Sequence, residues 1–169
     1  LIFGVSGGVL EASLRTAYFL LTGQNLKKEQ LVFEKLRGMS GIKKTSIEID
    51  GRIINVAVAN GMKNAKELID KIKNNDLNFD FIEVMNCNGG CIAGGGQPKI
   101  TMLNMQNTKR LRMNGIYSEE EKVHLRFCHE NPEIKQIYKN YLEKPNSDIA
   151  LKLLHTSYQD KSYMIGGIK

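Results

Sequence analysis

Apolar positions along the chain switch repeatedly between a helical period and strict alternation, and that switching predicts an α/β order. After the apolar run at residues 1–6 and the pair Gly7-Gly8, residues Val9, Leu10, Leu14, Ala17, Tyr18 and Leu21 return at helical spacing. This predicts a strand or strand end, a glycine turn, and an amphipathic helix ending near Thr22. A glycine turn at a helix N-terminus is also a candidate anion site, because the first N–H groups there lack intrahelical partners. Residues 24–28 are a polar connection, and residues 31–36 fit a short strand better than a helix. The stretch T-S-I-E-I-D-G-R-I-I-N-V-A-V-A at 45–59 is a β-hairpin signal, with Asp50-Gly51 supplying a two-residue turn that needs positive φ at both positions.

Ala65, Leu68, Ile69 and Ile72 mark one face of a helix over 63–73, which Asn74-Asn75 ends. Residues 79–85 follow as an apolar strand interrupted only by Asp80 and Glu83. Beyond Pro98 the pattern is poor as far as Asn107. A basic helical stretch then passes through Arg110, Arg112 and Tyr117, with Ser118 and Glu121 spaced as a capping box. Asn131-Pro132 reads as N-cap and first helical residue, ahead of an apolar face at Ile134, Ile137, Tyr138, Tyr141 and Leu142. A last helix is predicted over 147–154. No repeat, low-complexity tract or linker marks a second domain, so one domain over 1–169 is expected.

Composition adds little to this picture and excludes several classes. Hydrophobic residues make up 41% and charged residues 25%, as in ordinary globular chains, and no stretch has the apolar length of a membrane span. The net charge of +6 comes from lysines scattered over helix faces and turns without interleaved aromatics, which fits a solvated surface rather than a nucleic-acid site. A basic face that docks an acidic electron carrier is the alternative. Cys87, Cys91 and Cys128 are an odd set, two of them close together among glycines, which is no disulfide framework and favours a reducing compartment.

The candidate chemistry lies at 83–98, E-V-M-N-C-N-G-G-C-I-A-G-G-G-Q-P, directly after the last predicted strand. This run holds five of the 16 glycines and spaces two cysteines by three residues. Thiolates are preferred ligands of iron-sulfur clusters, and glycines let backbone N–H groups come close to a bulky inorganic group. The carboxyl end of a strand is the usual place for a site in an open α/β layer. Two thiolates fall short of the usual set of about four ligands. Cys128 reads as a buried free thiol, and His124, His129 and His155 lack the paired spacing of zinc sites.

The run resembles the third cysteine motif of the iron-only (FeFe) hydrogenases, E-x-M-A-C-P-G-G-C-x-x-G-G-G-Q-P. F-G-V-S-G-G-V-L-E-A-S-L-R-T-A at 3–17 is similar to the family's F-G-x-[TS]-G-G-V-[ML]-E-A-A-x-R-T-A. Residues 37–65 resemble its R-G…G-I-K…D-G…V-A-V-A…N-A region, and residues 129–158 its H-E-N-P…L-L-H-T-x-Y ending. The resemblance implies an α/β fold with a mixed sheet and flanking helices, forming the second (C-terminal) lobe of a two-lobed catalytic domain. It implies reversible reduction of protons to H2 at an H-cluster, a 4Fe-4S cubane joined through a cysteine sulfur to a two-iron subcluster with CO, cyanide and dithiolate amine ligands. On this basis Cys87 binds the cubane and Cys91 both binds it and bridges to the di-iron unit. Met85 and Phe3 stand beside the di-iron pocket, and Gly89, Gly90, Gly94, Gly95 and Gly96 admit backbone amides to the sulfurs.

The chain departs from the family pattern at Asn86 and Asn88, where Ala and Pro are usual, and at Cys128, where Ser is common. The family's first two cysteine motifs, T-S-C-C-P and M-P-C-x-x-K, are not among these residues, so the first lobe is expected on chain outside them and the chain alone is expected to be inactive. The resemblance further implies a ferredoxin or other electron carrier, maturation factors, and an anaerobic compartment, either cytoplasmic or hydrogenosome-like. Hydrogenase-like iron-sulfur proteins of cluster assembly, which lack the di-iron unit, and hydrogen-sensing paralogues are the competing readings.

Overall fold

A computed structural model describes residues 1–160 and 162–165. Three strands form one mixed sheet in the order β1-β2-β3: β1 (Ile42–Ile49), β2 (Arg52–Asn60) and β3 (Phe81–Met85). β1 and β2 pair antiparallel, from Ile42 opposite Ala59 to Ile49 opposite Arg52. Asp50 and Gly51 join them with φ of 52° and 72°, the left-handed pair that the D-G signal predicts. β2 and β3 run parallel, with Val56 opposite Phe81 and Asn60 opposite Met85. A parallel neighbour needs a crossover, and α2 (Met62–Lys73) supplies it.

The alternation of β2 sets the two helical layers. Val56 and Val58 face α1 (Gly8–Thr22), forming a core with Leu10, Leu14 and Leu36, while Ala57 and Ala59 face Ala65 and Leu68 of α2. Alanines on the second face let α2 lie close to the sheet. Each fully buried leucine contributes about 1.5–3 kcal/mol, so neither layer holds without its helix. A third cluster, Ile2, Val5, Ala12 and Ile92, is covered by Met113, Ile116 and Tyr117 of α3 (Met105–Lys122).

Between α1 and α3 lies a closed ionic network. Arg15 bonds Glu11 and Glu120, each at 2.7 Å; Arg37 bonds Glu11 at 2.7 Å; Arg126 bonds Glu120 at 2.5 Å. The Arg15 and Glu11 side chains are 2% and 1% exposed, so every charge in the pair depends on its partner. Arg37 also stacks over the Tyr117 ring at 4.1 Å.

Three local expectations are corrected. Residues 1–6 contain a 3-10 turn at Ile2–Gly4 and no strand, because the buried Ile2 and Val5 are three apart rather than alternating. Residues 31–36 likewise end in a 3-10 turn, Glu34–Leu36, with Leu31 and Leu36 as isolated buried anchors. Ser118 and Glu121 lie inside α3, so no helix starts there.

The chain divides into two compact units, Leu1–Cys128 and His129–Lys169. In the second, Asn131 caps α4 (Pro132–Ile137) by accepting from the Glu133 N–H, and the helix runs on into a π turn at Tyr138–Leu142. Ser147 caps α5 (Asp148–Leu154) through the Ala150 N–H.

Candidate functional site

The parallel strands β2 and β3 end side by side, and the cysteine loop leaves from that end. The Gly61 N–H donates to the Met85 carbonyl at 2.7 Å, holding the two strand exits together. Asn60, the last residue of β2, is 1% exposed and accepts the Gly89 N–H at 3.0 Å through its side-chain oxygen. The Ser6 N–H donates to the Gly89 carbonyl at 3.1 Å. The two peptides that flank Gly89, in the middle of the loop, are therefore gripped by one side chain and one backbone N–H.

Around that grip the loop folds back on itself. The Gly90 N–H bonds the Cys87 carbonyl at 2.9 Å, Cys91–Ala93 makes a 3-10 turn, and the Gly94 N–H bonds the Cys91 carbonyl at 3.1 Å. Gly90 has φ of 91°, and a Cβ there would lie 2.7 Å from the Ser6 nitrogen and 2.8 Å from the Gly4 oxygen. Only glycine fits, and the residues 1–8 and 85–96 meet because it does. A Cβ on Gly94 would stand 3.7 Å from Cys87 Sγ, in ordinary contact, so the glycine leaves that side of the sulfur uncovered. Gly95 and Gly96 face open space.

Both loop cysteines are exposed, Met85 is half-buried, and Phe3 is 49% exposed beside the Gly4 carbonyl that Gly90 abuts. Hydrophobic packing explains none of these side chains. Cys128 is half-buried against the Ile2–Val5 cluster, which makes it a packing residue. A cleft of about 400 Å³ opens beside Cys91, lined among others by Gly4, Ile92, Arg112 and Ile116. Among the described residues no three His, Cys, Asp or Glu side chains gather as a metal site, so the loop by itself offers two sulfur donors and space beside them. No helix among the described residues is long and apolar enough to cross a membrane.

The glycine turn before α1 does bind an anion, and the anion is internal. The Glu83 carboxylate accepts from the Gly7 N–H at 2.5 Å and the Leu10 N–H at 2.8 Å, using the positive end of the helix to tie α1 to β3. Lys43 stands nearby, 5% exposed, donating to the carbonyls of Ser6 at 2.8 Å and Gly38 at 3.1 Å. Burial pulls its pKa from the usual 10.5 down to about 8, partly offset by Glu83 and Glu11. Sequence patterning noted Glu83 as a break in an apolar strand and gave no weight to Ser6, Lys43 or Asn60. A charged or amide residue in an otherwise apolar strand was the available signal for Glu83 and Asn60.

An α/β layer with a two-cysteine glycine loop beyond its parallel strand ends is the framework these residues build. The model of the iron-only hydrogenase large subunit, C-terminal domain, matches residues 1–95, and that of the iron hydrogenase small subunit matches residues 106–161. The chain belongs to the iron-only hydrogenase family. It is 44% identical over 161 residues to the NADP-reducing hydrogenase subunit HndD of Solidesulfovibrio fructosivorans, covering 93% of this chain and 26% of that one. It is 31% identical over 156 residues to a cytosolic Fe-S cluster assembly factor of Xenopus tropicalis, covering 92% of this chain and 31% of that one. An apo FeFe-hydrogenase structure from Chlamydomonas reinhardtii superposes with a TM-score of 0.69 at 38% identity, over 94% of this chain and 45% of that one. The chain thus spans between a quarter and a third of those two relatives and just under half of the solved chain. The mixed sheet with flanking helices agrees with that fold.

Proposed function

We propose that the chain is the second lobe of an iron hydrogenase and supplies one wall of an H-cluster pocket. Cys87 and Cys91 would hold the 4Fe-4S cubane, and Cys91 would also hold the two-iron unit. The observation that carries this reading is the pairing of two exposed thiols on a loop whose middle residue, Gly89, is held through both its N–H and its carbonyl. Asn60 and Ser6 fix Gly89, Gly90 admits no side chain, and Gly94 leaves the Cys87 sulfur uncovered on its side. The donor set fits a thiolate-held cluster, and the open space at Gly95 and Gly96 fits a bulky neighbour. When bound, the cluster supplies electron transfer and proton reduction. This chain's residues ligate it, orient it through the gripped loop, and with Met85 and Phe3 shield its pocket from water.

The remaining ligands come from a first lobe, and a ferredoxin-type carrier and maturation factors are its further partners. A reducing, anaerobic compartment suits exposed, oxidisable cysteines. The hydrogenase relative and the retained Met85 favour catalysis. The cluster assembly relative supports a second reading, a non-catalytic iron-sulfur protein with the same loop and no di-iron unit.

Infrared spectroscopy of the full-length protein, expressed with maturation factors, separates the two. CO and cyanide bands are expected, and Cys91→Ser should abolish them. A protein that takes up a cubane and never shows those bands is of the assembly type, and one that takes up no cluster refutes both.

A further inference from the structure

We infer that Lys109 and Arg112 of α3 form a cationic clamp that positions the cysteine loop and favours reduction of the cluster held on it. The inference rests on the ligation reading above. The two residues are three apart and so share one helix face. The Arg112 guanidinium donates to the Ile92 carbonyl at 2.8 Å and to the Pro98 carbonyl at 3.0 Å. It thereby bridges the two ends of the stretch that contains Gly94, Gly95 and Gly96, the latter two having no neighbour within 4 Å of a Cβ position. That stretch has almost no packing of its own, and the planar fork replaces it.

Lys109 works on the other half of the loop. It is 7% exposed, and its ammonium reaches the side-chain oxygen of Asn88, between the two cysteines, at 3.4 Å. The usual family residue at this position, proline, could not accept that bond, so the contact suits the departure at Asn88. Among the described residues neither Lys109 nor Arg112 pairs with a carboxylate. Lys109 is buried and Arg112 half-buried, and a buried cation is ordinarily paired. What these two face instead is the loop whose thiolates would carry an anionic cluster, and net charge around a cluster sets its potential. The clamp also links the part of the chain that matches the small-subunit model to the loop in the large-subunit part.

The test uses the full-length protein, first as apoprotein and then reconstituted with iron and sulfide. In the apoprotein, Arg112→Gln and Arg112→Lys should speed hydrogen exchange of the Ala93, Gly94 and Gln97 amides by about tenfold or more, since neither substitute restores the two-carbonyl fork. In the reconstituted protein, an EPR-monitored redox titration should show a more negative cubane midpoint for Lys109→Gln and a near wild-type one for Lys109→Arg. Arg112→Lys keeps the charge and should hold the midpoint while exchange stays fast. Unchanged exchange in both Arg112 variants overturns the clamp, and an unchanged midpoint in Lys109→Gln overturns its electrostatic role. If wild type binds no cluster, the ligation reading and the electrostatic role fail together, and the exchange result still decides the clamp. Should Arg112→Gln fail to fold, Arg112→Lys carries the comparison.

Discussion

Glu83 and Gly7, 76 positions apart, meet at 2.5 Å where the carboxylate accepts the N–H at the start of α1. The same carboxylate takes the Leu10 N–H, so a single side chain of β3 satisfies two donors that a helix leaves unpaired and locks helix to strand four residues before Cys87. Glu83→Gln keeps one acceptor and loses the charge. It should cost about 1–2 kcal/mol, and Glu83→Ala about 3 kcal/mol, read as the shift of the urea midpoint at neutral pH. Equal stability of all three proteins would mean that solvent replaces the carboxylate.

Lys43 makes a prediction about pH. Its pKa in the fold is about 8 against the ordinary 10.5, so between these values the unfolded chain binds a proton that the native chain does not. Stability therefore rises with pH across that window: the penalty of a buried ammonium is fully present below about 8 and is relieved as pH increases. Tyr117, whose phenol burial pushes up to about 12, works in the opposite direction above pH 10. The Lys43 signal is therefore cleanest between 8 and 10. A denaturation series over this range should show a rise in wild type that is absent from Lys43→Met. A parallel pH profile in both proteins would assign the rise to other groups.

The ionic network predicts a large loss from a single deletion. Arg15→Met leaves the Glu11 and Glu120 carboxylates buried with fewer partners and should cost about 3–5 kcal/mol in the same assay. Burial alone would raise the Glu120 pKa; hydrogen bonds from Arg126 and Arg15 overcome it and hold the group below the usual carboxylate range. Its stabilising contribution is therefore present above the ordinary value and lost as pH falls through the lowered one. Acid should unfold wild type more steeply than Glu120→Gln. Coincident acid transitions would remove Glu120 from the account.

How far the sequence exposed this architecture depended on where each signal was stored. The hairpin was legible because Asp50-Gly51 encodes its own turn, α1 and α2 because their apolar positions recur at helical spacing, and β3 as a short apolar run broken by Glu83. The segments around Ile2 and Leu36 look like strands in the sequence because apolar anchors in and beside a 3-10 turn read as a short run. The packing of α3 was hidden for a different reason: beside Met113, Ile116 and Tyr117 its inward side carries Lys109, Arg112 and Glu120, so much of a helix that holds the loop and the ionic network reads as surface. The two cysteines were evident by spacing. The grip on Gly89 by Ser6 and Asn60 was not, since it is made by residues 83 and 29 positions away.

That grip leads to a contrast between two glycines of the same loop. At Gly90 a methyl group would meet the backbone of Gly4 and Ser6 at under 3 Å, and the φ of 91° is itself unfavourable for any other residue. Neither obstacle can yield, because both are main chain already fixed to Gly89 and α1. Gly90→Ala should therefore displace the loop, cost about 2 kcal/mol or more in stability, and lower the cluster content of reconstituted full-length protein. Gly95→Ala meets nothing within 4 Å and has no positive φ, so the apoprotein should be unaffected. Iron and sulfide analysis then separates the roles: if the open side at Gly95 is where a cluster rests, the same alanine should reduce cluster content without reducing stability. Full cluster loading in both variants would place the cluster away from this loop.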